Sequence, residues 1–415
     1  MRILRVYHGG RDQAHRARER ALVEAGLDVT LVVPESWPGA SAQPELSPER
    51  FRIVELPVRR PGDVNRHAYA DPGRLGSLIG EVRPDIVDIH EEPFSVAARQ
   101  VLGVVPPSIP VVLYTAQNID KRYPPPFAGY ERRAHRRAQG FYPCSRQAAS
   151  VTRGKGFQGL IEVLPLGYDE TIFAPGDQRA ADDELMLAFV GRLVPEKGVT
   201  DALDVVATVN RTRPARLVIV GEGPEAGAVA RYATERGIAD RVEVSAWRTQ
   251  AELADLYRRA HAVLVPSRTS PTWVEQFGRV IVEAQACGAI VAGYATGTIP
   301  EVGGEAALLV EEGDCASLAA GLVDLLADEH AHEAHRQAGF VLAADRKWTK
   351  VAERQAAFYR RVLAHDSTEA EPRSPSKQRE AARLEFGPTA LTPAGYRPFA
   401  VRLFRNRARR ADRRR

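Results

Sequence analysis

The sequence has few of the residues that build a disulfide framework or a membrane span. Its 415 residues include only three cysteines, Cys144, Cys287 and Cys315, which are too few and too scattered for such a framework or for a zinc site. No apolar run approaches the ~18 residues that a membrane-spanning helix needs. The opening MRILRVYHGG is a strand pattern broken by His8 and two glycines, unlike a signal peptide. We therefore expect a cytoplasmic protein.

Common catalytic signatures are also missing. The ten histidines are dispersed, with neither an HExxH sequence nor a Cys/His ligand spacing. No GxSxG elbow and no Walker sequence occurs. These absences argue against zinc hydrolases, serine hydrolases and P-loop nucleotidases. The sequence predicts no metal site and no obligatory cofactor.

The net positive charge of the chain comes from its C-terminal end. Residues 366–415 contain 13 Arg and Lys against 6 Asp and Glu, a net charge of +7, whereas the whole chain carries +4. Residues 1–365 therefore carry about −3 (4 − 7). A surface that binds nucleic acid should itself be basic, so no nucleic-acid partner is expected for the folded part.

Short β-branched runs alternate with helical patterns, as is typical of parallel sheets covered by helices. In the first half, strands are predicted at 3–7, 29–33, 52–56, 85–89, 111–115 and 161–164, with helices at 13–25, 94–103, 128–138 and 145–153. In the second, strands are predicted at 185–190, 216–220, 241–244, 262–266, 289–294 and 306–310, with helices at 199–210, 224–236, 250–259, 279–287 and 315–326. A segment rich in Gly, Pro and acidic residues, 164–184, separates the series. We predict an α/β fold of two Rossmann-like domains, residues 1–170 and 180–346.

The most informative pattern is a pair of glutamates around a short turn. Glu275 and Glu283 are eight positions apart, and Gln276-Phe277-Gly278 leads into a helix between them. A carboxylate accepts two sugar hydroxyls at once, and free amides at a helix N-terminus donate to oxygen atoms. The pattern therefore suits a polyhydroxylated ligand. An exposed loop glutamate ahead of an amphipathic core helix would show the same spacing.

Two further loops follow predicted strands. In FVGRLVPEKGV, Arg192 and Lys197 precede a helix, and two cations there can neutralise a diphosphate. The alternative is an ordinary surface loop. After the first strand, Gly9 and Gly10 would let backbone amides approach a phosphate or a sugar, or would only form a tight turn.

These motifs resemble those of the retaining glycosyltransferases of family 4, which have the GT-B fold. The Glu-x7-Glu stretch, the Gly-Arg-x4-Lys-Gly loop and the interdomain string PLGYDETIF carry the resemblance, which covers roughly residues 1–363. It implies that the second domain binds a nucleotide-activated sugar and that the first presents the acceptor. It also implies that the amphipathic helix 347–363 packs back onto the first domain.

The resemblance implies a role for each motif residue. Glu275 and the backbone of Gln276, Phe277 and Gly278 would hold the donor sugar, Glu283 the ribose, and Arg192 with Lys197 the diphosphate. The loops that carry Gly9, Gly10 and Gly221 would flank the donor, and Trp247 and Arg248 fall where the family contacts the base.

The position of a common family histidine is occupied differently. Many members have a His after the strand that ends at Thr115, where this sequence has Gln117. Gln117 can still supply a neutral hydrogen bond to the transferred sugar. His90, after the preceding strand, is the better imidazole candidate for catalysis, although a lone His at a strand end is as often structural.

We predict a glycosyltransferase that transfers a sugar from a nucleoside diphosphate to a hydroxyl acceptor with retention at the anomeric carbon. The acceptor could be a lipid, a polysaccharide or a small metabolite. Within the fold, an epimerase or a phosphorylase is the alternative. From another class, the alternative is an inactive glycosyltransferase-like binding subunit.

The C-terminal tail generates the first testable prediction. Residues 399–415 combine eight arginines with Phe399, Val401, Leu403 and Phe404, which suits either a solvated, flexible tail or a peripheral contact with the inner face of an anionic membrane. Each basic residue near such a surface contributes about 1 kcal/mol. If the tail is an anchor, full-length protein should co-sediment with anionic but not neutral vesicles, and a chain ending at Leu363 should not. If full-length protein stays in the supernatant with anionic vesicles at low salt, the membrane contact is excluded and the solvated tail is the remaining interpretation.

Overall fold

The computed structural model describes residues 1–38, 49–176 and 184–369. The predicted tail lies outside the described residues from Ala370 onward, so its flexibility and membrane contact stay predictions. No described helix combines the length and the apolar character that crossing a bilayer would require.

The first half of the chain contains a seven-stranded parallel sheet. Its strands run in the order β3-β2-β1-β6-β7-β8-β9, and β4 and β5 form a separate antiparallel pair. The strands are β1 (Arg2–Val6), β2 (Asp28–Pro34), β3 (Arg52–Leu56), β4 (Val58–Arg59), β5 (Ala68–Tyr69), β6 (Ile86–Ile89), β7 (Val111–Thr115), β8 (Gly140–Pro143) and β9 (Leu160–Ile161). The helices are α1 (Ala17–Glu24), α2 (Pro72–Val82), α3 (Val96–Val104), α4 (Phe127–Arg137) and α5 (Arg146–Gly154).

The second half contains a six-stranded parallel sheet in the order β12-β11-β10-β13-β14-β15. Its strands are β10 (Leu185–Val190), β11 (Ala215–Val220), β12 (Val242–Ser245), β13 (Ala262–Val265), β14 (Ile290–Tyr294) and β15 (Ala307–Val310). The helices are α6 (Val199–Val209), α7 (Ala226–Glu235), α8 (Gln250–Arg259), α9 (Arg279–Cys287), α10 (Ile299–Gly303), α11 (Cys315–Ala327) and α12 (Glu329–Ala344), followed by α13 (Trp348–Glu369).

Apolar strands explain why both sheets form. In β10, Leu187 and Phe189 enter one buried cluster, whereas Met186 and Ala188 enter a second cluster on the opposite face. Successive side chains of a strand point to opposite faces, and a sheet covered by helices on both faces needs apolar residues at nearly every position. The structure confirms the predicted strand positions, with one difference in length. The strand predicted at 161–164 is the short β9 (Leu160–Ile161).

The sequence patterns missed the hairpin β4–β5 and helices α2, α10 and α12. Helix α2 has three glycines in GRLGSLIGEV, which weaken the helical signal. It nonetheless begins well, because Asp71 accepts hydrogen bonds from the amides of Gly73 and Arg74 and Pro72 occupies the first turn. Burial of Leu75 and Leu78 in the core then outweighs the glycines.

Helix α13 comes after the second sheet but packs against the first. Its residues Phe358, Tyr359 and Val362 are fully buried in a cluster that also contains Ile3 and Leu22. Because this helix belongs in space to the first half, it ties the two ends of the described chain together.

A buried polar network holds α13 on the sheet. The Asp88 carboxylate accepts hydrogen bonds from the hydroxyls of Tyr142 and Tyr359, from Gln355 Nε2 at 3.1 Å and from the Arg5 guanidinium. Neither Asp88 nor Arg5 is exposed to solvent. A carboxylate with several donors satisfies the buried charge that would otherwise destabilise the fold.

We predict that Asp88→Ala lowers the free energy of unfolding by about 3–5 kcal/mol, because it leaves a buried arginine and two hydroxyls short of a partner. Glu162→Ala is the matched control. Glu162 forms partly exposed ion pairs with Arg354 and Arg361 of the same helix, and such pairs contribute only about 0–1 kcal/mol. Urea denaturation of the two variants side by side measures the difference. Equal losses would contradict the role given to the network.

Candidate active site

A cleft of about 520 Å³ lies between the two sheets and is lined by residues from both halves. Hydrogen bonds cross between the halves at its border: Asn118 Nδ2 donates to the Glu275 carbonyl oxygen at 2.8 Å, and Gln276 Nε2 donates to the Ala116 carbonyl oxygen at 3.2 Å. Asn118 and Ala116 follow β7, whereas Glu275 and Gln276 follow β13. The carboxyl ends of parallel strands thus face one another, which is where α/β sheets bind ligands.

Glu275 and Lys197 form an ion pair beside this cleft. Lys197 Nζ lies 2.6 Å from Glu275 Oε2, and Ser267 Oγ donates to the same oxygen at 3.0 Å. Lys197 Nζ also lies 5.2 Å from the ring centroid of Trp273, which lines the cleft. The two residues that the sequence assigned to the sugar and to the diphosphate are therefore in direct contact.

The loop between β10 and α6 carries both predicted phosphate ligands. Lys197 ends a short 3-10 turn, and Gly198 then begins α6 with φ +69°. A Cβ at Gly198 would lie 2.1 Å from the Pro266 carbonyl oxygen, so only glycine fits this approach. Arg192 is exposed on the same loop, and no described residue pairs with its guanidinium. The loop thus offers one paired and one unpaired cation.

The N-terminus of α9 provides free backbone donors. Gly278 begins α9 in the left-handed conformation, and no described residue accepts a hydrogen bond from the amides of Gln276, Phe277 or Gly278. The Phe277 ring is buried in the core, so its backbone remains the group available to a ligand. Free amides at a helix N-terminus suit oxygen atoms of a sugar or a phosphate.

Glu283 lies one turn further along α9 and lines the cleft. Burial raises the pKa of its carboxyl group, and Arg279 partly offsets that effect. Its one protein partner among the described residues is the Tyr257 hydroxyl, 3.4 Å from Oε2. Most of the hydrogen-bonding capacity of Glu283 is therefore open to a ligand.

The side chain of Gln117 is held in one orientation. Lys155 Nζ donates to Gln117 Oε1 at 2.6 Å, and Glu131 in turn binds Lys155 at 2.7 Å. Because an ammonium group has no acceptor, the amide oxygen must face Lys155. Gln117 Nε2 then remains without a protein partner, in a residue that lines the cleft. The Gln117 side chain therefore offers an N–H donor, which fits the predicted neutral hydrogen bond to a ligand.

His90 also lines the cleft, at the end of β6. Its Nδ1 lies 3.2 Å from the Tyr142 hydroxyl, and its ring packs against Tyr114 at a tilt of 32° with centroids 4.0 Å apart. Burial, reinforced by the nearby positive charges of Arg5 and Arg18, lowers its pKa well below the usual value. His90 is thus a neutral imidazole near pH 7, suited to hydrogen bonding and poorly suited to act as a general acid.

The structure does not bring every predicted residue to the cleft wall. Gly9 packs against the Tyr7 ring, and the amide of Gly10 donates to the Tyr7 carbonyl oxygen. A Cβ at Gly221 would overlap the Gly191 carbonyl oxygen, so that glycine joins two loops. These close contacts explain by packing alone why glycine occupies these positions. The roles of the glycines at the donor stay predictions.

The two base-contact candidates lie on the loop after β12. Trp247 is 71% exposed, and Arg248 pairs with Glu243 at 2.8 Å. Neither side chain lines the cleft, so a base contact here would use the backbone, as the resemblance implies.

Sequence reasoning missed Trp273 of the cleft wall and Lys155, the partner of Gln117. Trp273 stands two positions before Glu275, and its aromatic character could have indicated a ligand contact. Lys155, in contrast, comes from a turn after α5, and no local pattern connects it with Gln117.

Comparisons with protein families match most of the chain. Residues 19–172 match the model described as Glycosyltransferase Family 4, and residues 172–340 match the model described as Glycosyl transferases group 1. The two models meet at the segment that joins the two sheets.

Several curated relatives carry the same name. The D-inositol 3-phosphate glycosyltransferase of Segniliparus rotundus is 35% identical over 217 residues, which cover 49% of this chain and 47% of the relative. That of Mycobacteroides abscessus is 34% identical over 247 residues, covering 56% of this chain and 52% of the relative. The chain thus spans about half the length of the curated relatives that it matches.

Solved structures share the two-sheet architecture. Sucrose-phosphate synthase from Thermosynechococcus elongatus superposes with a TM-score of 0.66 at 20% identity, covering 88% of this chain and 100% of the other. Anabaena HepE in complex with UDP superposes with a TM-score of 0.67 at 17% identity, covering 86% and 99%. These likenesses establish the GT-B fold. The two family models together span residues 19–340, and they show that the chain belongs to the group 1 glycosyltransferases of family 4.

Proposed function

We propose that this protein is a retaining glycosyltransferase that transfers a sugar from a nucleoside diphosphate to a hydroxyl acceptor. The contact between Lys197 and Glu275 carries the proposal, because it places a cation for a diphosphate against a carboxylate for a sugar. In a nucleotide sugar, the bond that breaks joins these two parts. The curated relatives named as glycosyltransferases support the same class.

The donor would bind along the loops of the second half. Its diphosphate would take Lys197 and Arg192 as counter-ions, and its sugar would accept hydrogen bonds from the free amides at the start of α9. Glu283 is buried and has only one protein partner among the described residues, the Tyr257 hydroxyl. Its carboxylate would accept hydrogen bonds from the hydroxyls of the ribose. Gln117 would donate to the sugar from the opposite wall of the cleft.

The chemistry would be a front-face attack. The acceptor hydroxyl approaches the anomeric carbon from the side of the departing diphosphate, and a phosphate oxygen takes the proton of that hydroxyl. This route needs no pair of carboxylates at the spacing found in glycoside hydrolases. Catalysis would come from stabilising the charge that develops on the diphosphate, which Arg192, Lys197 and backbone amides can do without a metal ion.

The relatives and structural neighbours guide the choice of substrates to test. HepE was solved with UDP-glucose, so UDP-sugars are the first donors. The curated relatives are named for D-inositol 3-phosphate, so phosphorylated cyclitols are the first acceptors. Product analysis separates transfer from epimerisation or phosphorolysis, and turnover of any donor excludes an inactive binding subunit.

The two predicted diphosphate ligands, Arg192 and Lys197, generate a prediction about turnover. Arg192→Ala or Lys197→Ala should lower the rate of transfer by about 10²-fold or more, comparable to the loss of one oxyanion-site donor. Arg241→Ala is a suitable control, since Arg241 is a partly exposed arginine of the same half that pairs with Glu184 away from the cleft. Initial rates with a saturating acceptor measure the effect. Near wild-type rates in both the Arg192→Ala and the Lys197→Ala variant would contradict their role as diphosphate ligands.

The two glutamates generate a prediction about binding. Glu283→Gln should weaken the affinity for the free nucleoside diphosphate by about 10-fold or more, because a hydrogen bond to a charged group contributes ~1.5–3 kcal/mol. Glu275→Gln should leave that affinity nearly unchanged and impair transfer, because its partner is the sugar. Calorimetric titration with the nucleotide alone compares them. Equal losses of affinity would mean that the roles are misassigned.

A further inference from the structure

Three residues far apart in the sequence meet beside the first sheet. His8 follows β1 and Glu91 follows β6, and these neighbouring parallel strands end at the same edge. His67 immediately precedes β5, in the hairpin that reaches this edge. One potential ligand atom from each of the three residues lies within 4.8 Å of the other two.

The protonation of His67 follows from its backbone contact. Its Nδ1 lies 3.2 Å from the Asp63 carbonyl oxygen, which can only accept a hydrogen bond. Nδ1 therefore carries the proton, and in the neutral ring Nε2 has a lone pair. The side chain is fully buried, and no described residue is a hydrogen-bond partner of Nε2.

The lone pair of His67 faces a carboxylate. Nε2 lies 3.9 Å from Glu91 Oε1, while Glu91 Oε2 lies 2.7 Å from His8 Nδ1. Glu91 Oε1 also accepts a hydrogen bond from the His8 amide at 2.7 Å, so His67 Nε2 is the buried atom that no described residue satisfies. A cation between Nε2 and Oε1 would satisfy that lone pair. A proton on Nε2 would form no hydrogen bond with Glu91, because 3.9 Å exceeds the length of one.

A metal ion fits the same gap. Zinc bonds of ~2.0–2.2 Å to nitrogen and carboxylate oxygen place two tetrahedral ligand atoms roughly 3.3–3.5 Å apart. A small closure would therefore bring His67 and Glu91 onto one ion, while the 2.7 Å contact between His8 and Glu91 would lengthen as the ion replaces the shared proton. Two imidazoles and one carboxylate form a known zinc ligand set with an open fourth position. The contact of His67 Nδ1 with a backbone carbonyl is also the arrangement that orients metal-bound histidines.

We propose that His8, His67 and Glu91 bind a divalent transition-metal ion, with zinc as the best match to the ligand set. Trp37 covers the site, with ring centroids 4.7 Å from His8 and 5.0 Å from His67. The sequence predicted no metal, because these ligands are 59 and 24 positions apart along the chain.

The ion would link the segment before β5 to the edge of the sheet. Val64 and Asn65, just before His67, line the cleft on the acceptor side, as do His8 and Glu91. The metal would therefore shape the acceptor wall of the cleft, on the opposite half from Lys197 and the donor diphosphate. The site is independent of the proposed transfer reaction, and its test needs no substrate.

The test uses untagged full-length protein that has been dialysed against a chelator and then against metal-free buffer. Calorimetric titration with zinc, with elemental analysis after gel filtration, should show about one ion per chain, and zinc should raise the melting temperature. His67→Gln and Glu91→Gln should each lower the affinity by about 10²-fold or more, since loss of an outer-shell partner alone costs 10–100-fold. His135→Gln is the matched control, because His135 lies in the same half and contacts Phe141 away from the cluster.

Wild-type protein that retains well under one zinc ion per chain would overturn the proposal, and so would a His67→Gln variant with unchanged affinity. If a variant does not fold, cobalt replaces zinc in the wild-type protein. Absorption bands of cobalt bound to nitrogen and oxygen ligands in a low-coordinate site support the inference, and a spectrum of hydrated cobalt contradicts it.

Discussion

The shared direction of the strands is the constraint on which the cleft depends. Every pairing within the two large sheets is parallel, so the loops that follow the strands gather at one edge of each sheet. The polar residues in and beside the cleft come from segments that follow strands: His90 after β6, Gln117 after β7, Lys197 after β10 and Glu275 after β13. The hydrogen bond from Asn118 to the Glu275 carbonyl then holds the two edges face to face.

The Lys197–Glu275 pair explains how the site tolerates a buried charge without a ligand. Glu275 is only 5% exposed, and an unpaired carboxylate at that depth would be costly. The ammonium of Lys197 and the hydroxyl of Ser267 satisfy it. A diphosphate that attracts Lys197 would release lone pairs of Glu275 for sugar hydroxyls. A nucleotide sugar would therefore supply a partner to each member of the ion pair at once.

Local chemistry made much of the fold predictable, whereas features that depend on long-range contacts were not predictable from the sequence. The β-branched runs predicted the strands because packing on both faces leaves few alternatives, and the Glu275–Glu283 spacing needs only one turn and one helix. The orientation of Gln117 depends on Lys155, and the meeting of His67 with Glu91 depends on where a hairpin reaches the sheet. Helix α2 escaped notice because its glycines mask a helix that tertiary burial stabilises. The first two features have no local signature, and in α2 the glycines outweigh the helix-start signal of Asp71 and Pro72.

A crystal structure of the full-length protein with the nucleoside diphosphate of its donor tests the central claim most directly. The account predicts that the diphosphate lies between Arg192 and Lys197, that the ribose hydroxyls bind Glu283, and that Lys197 has moved away from Glu275. It also predicts that the terminal phosphate points toward the cleft wall that carries Gln117. A diphosphate bound to the first half of the chain, or bound with the Lys197–Glu275 pair intact and Glu283 unoccupied, would contradict the account.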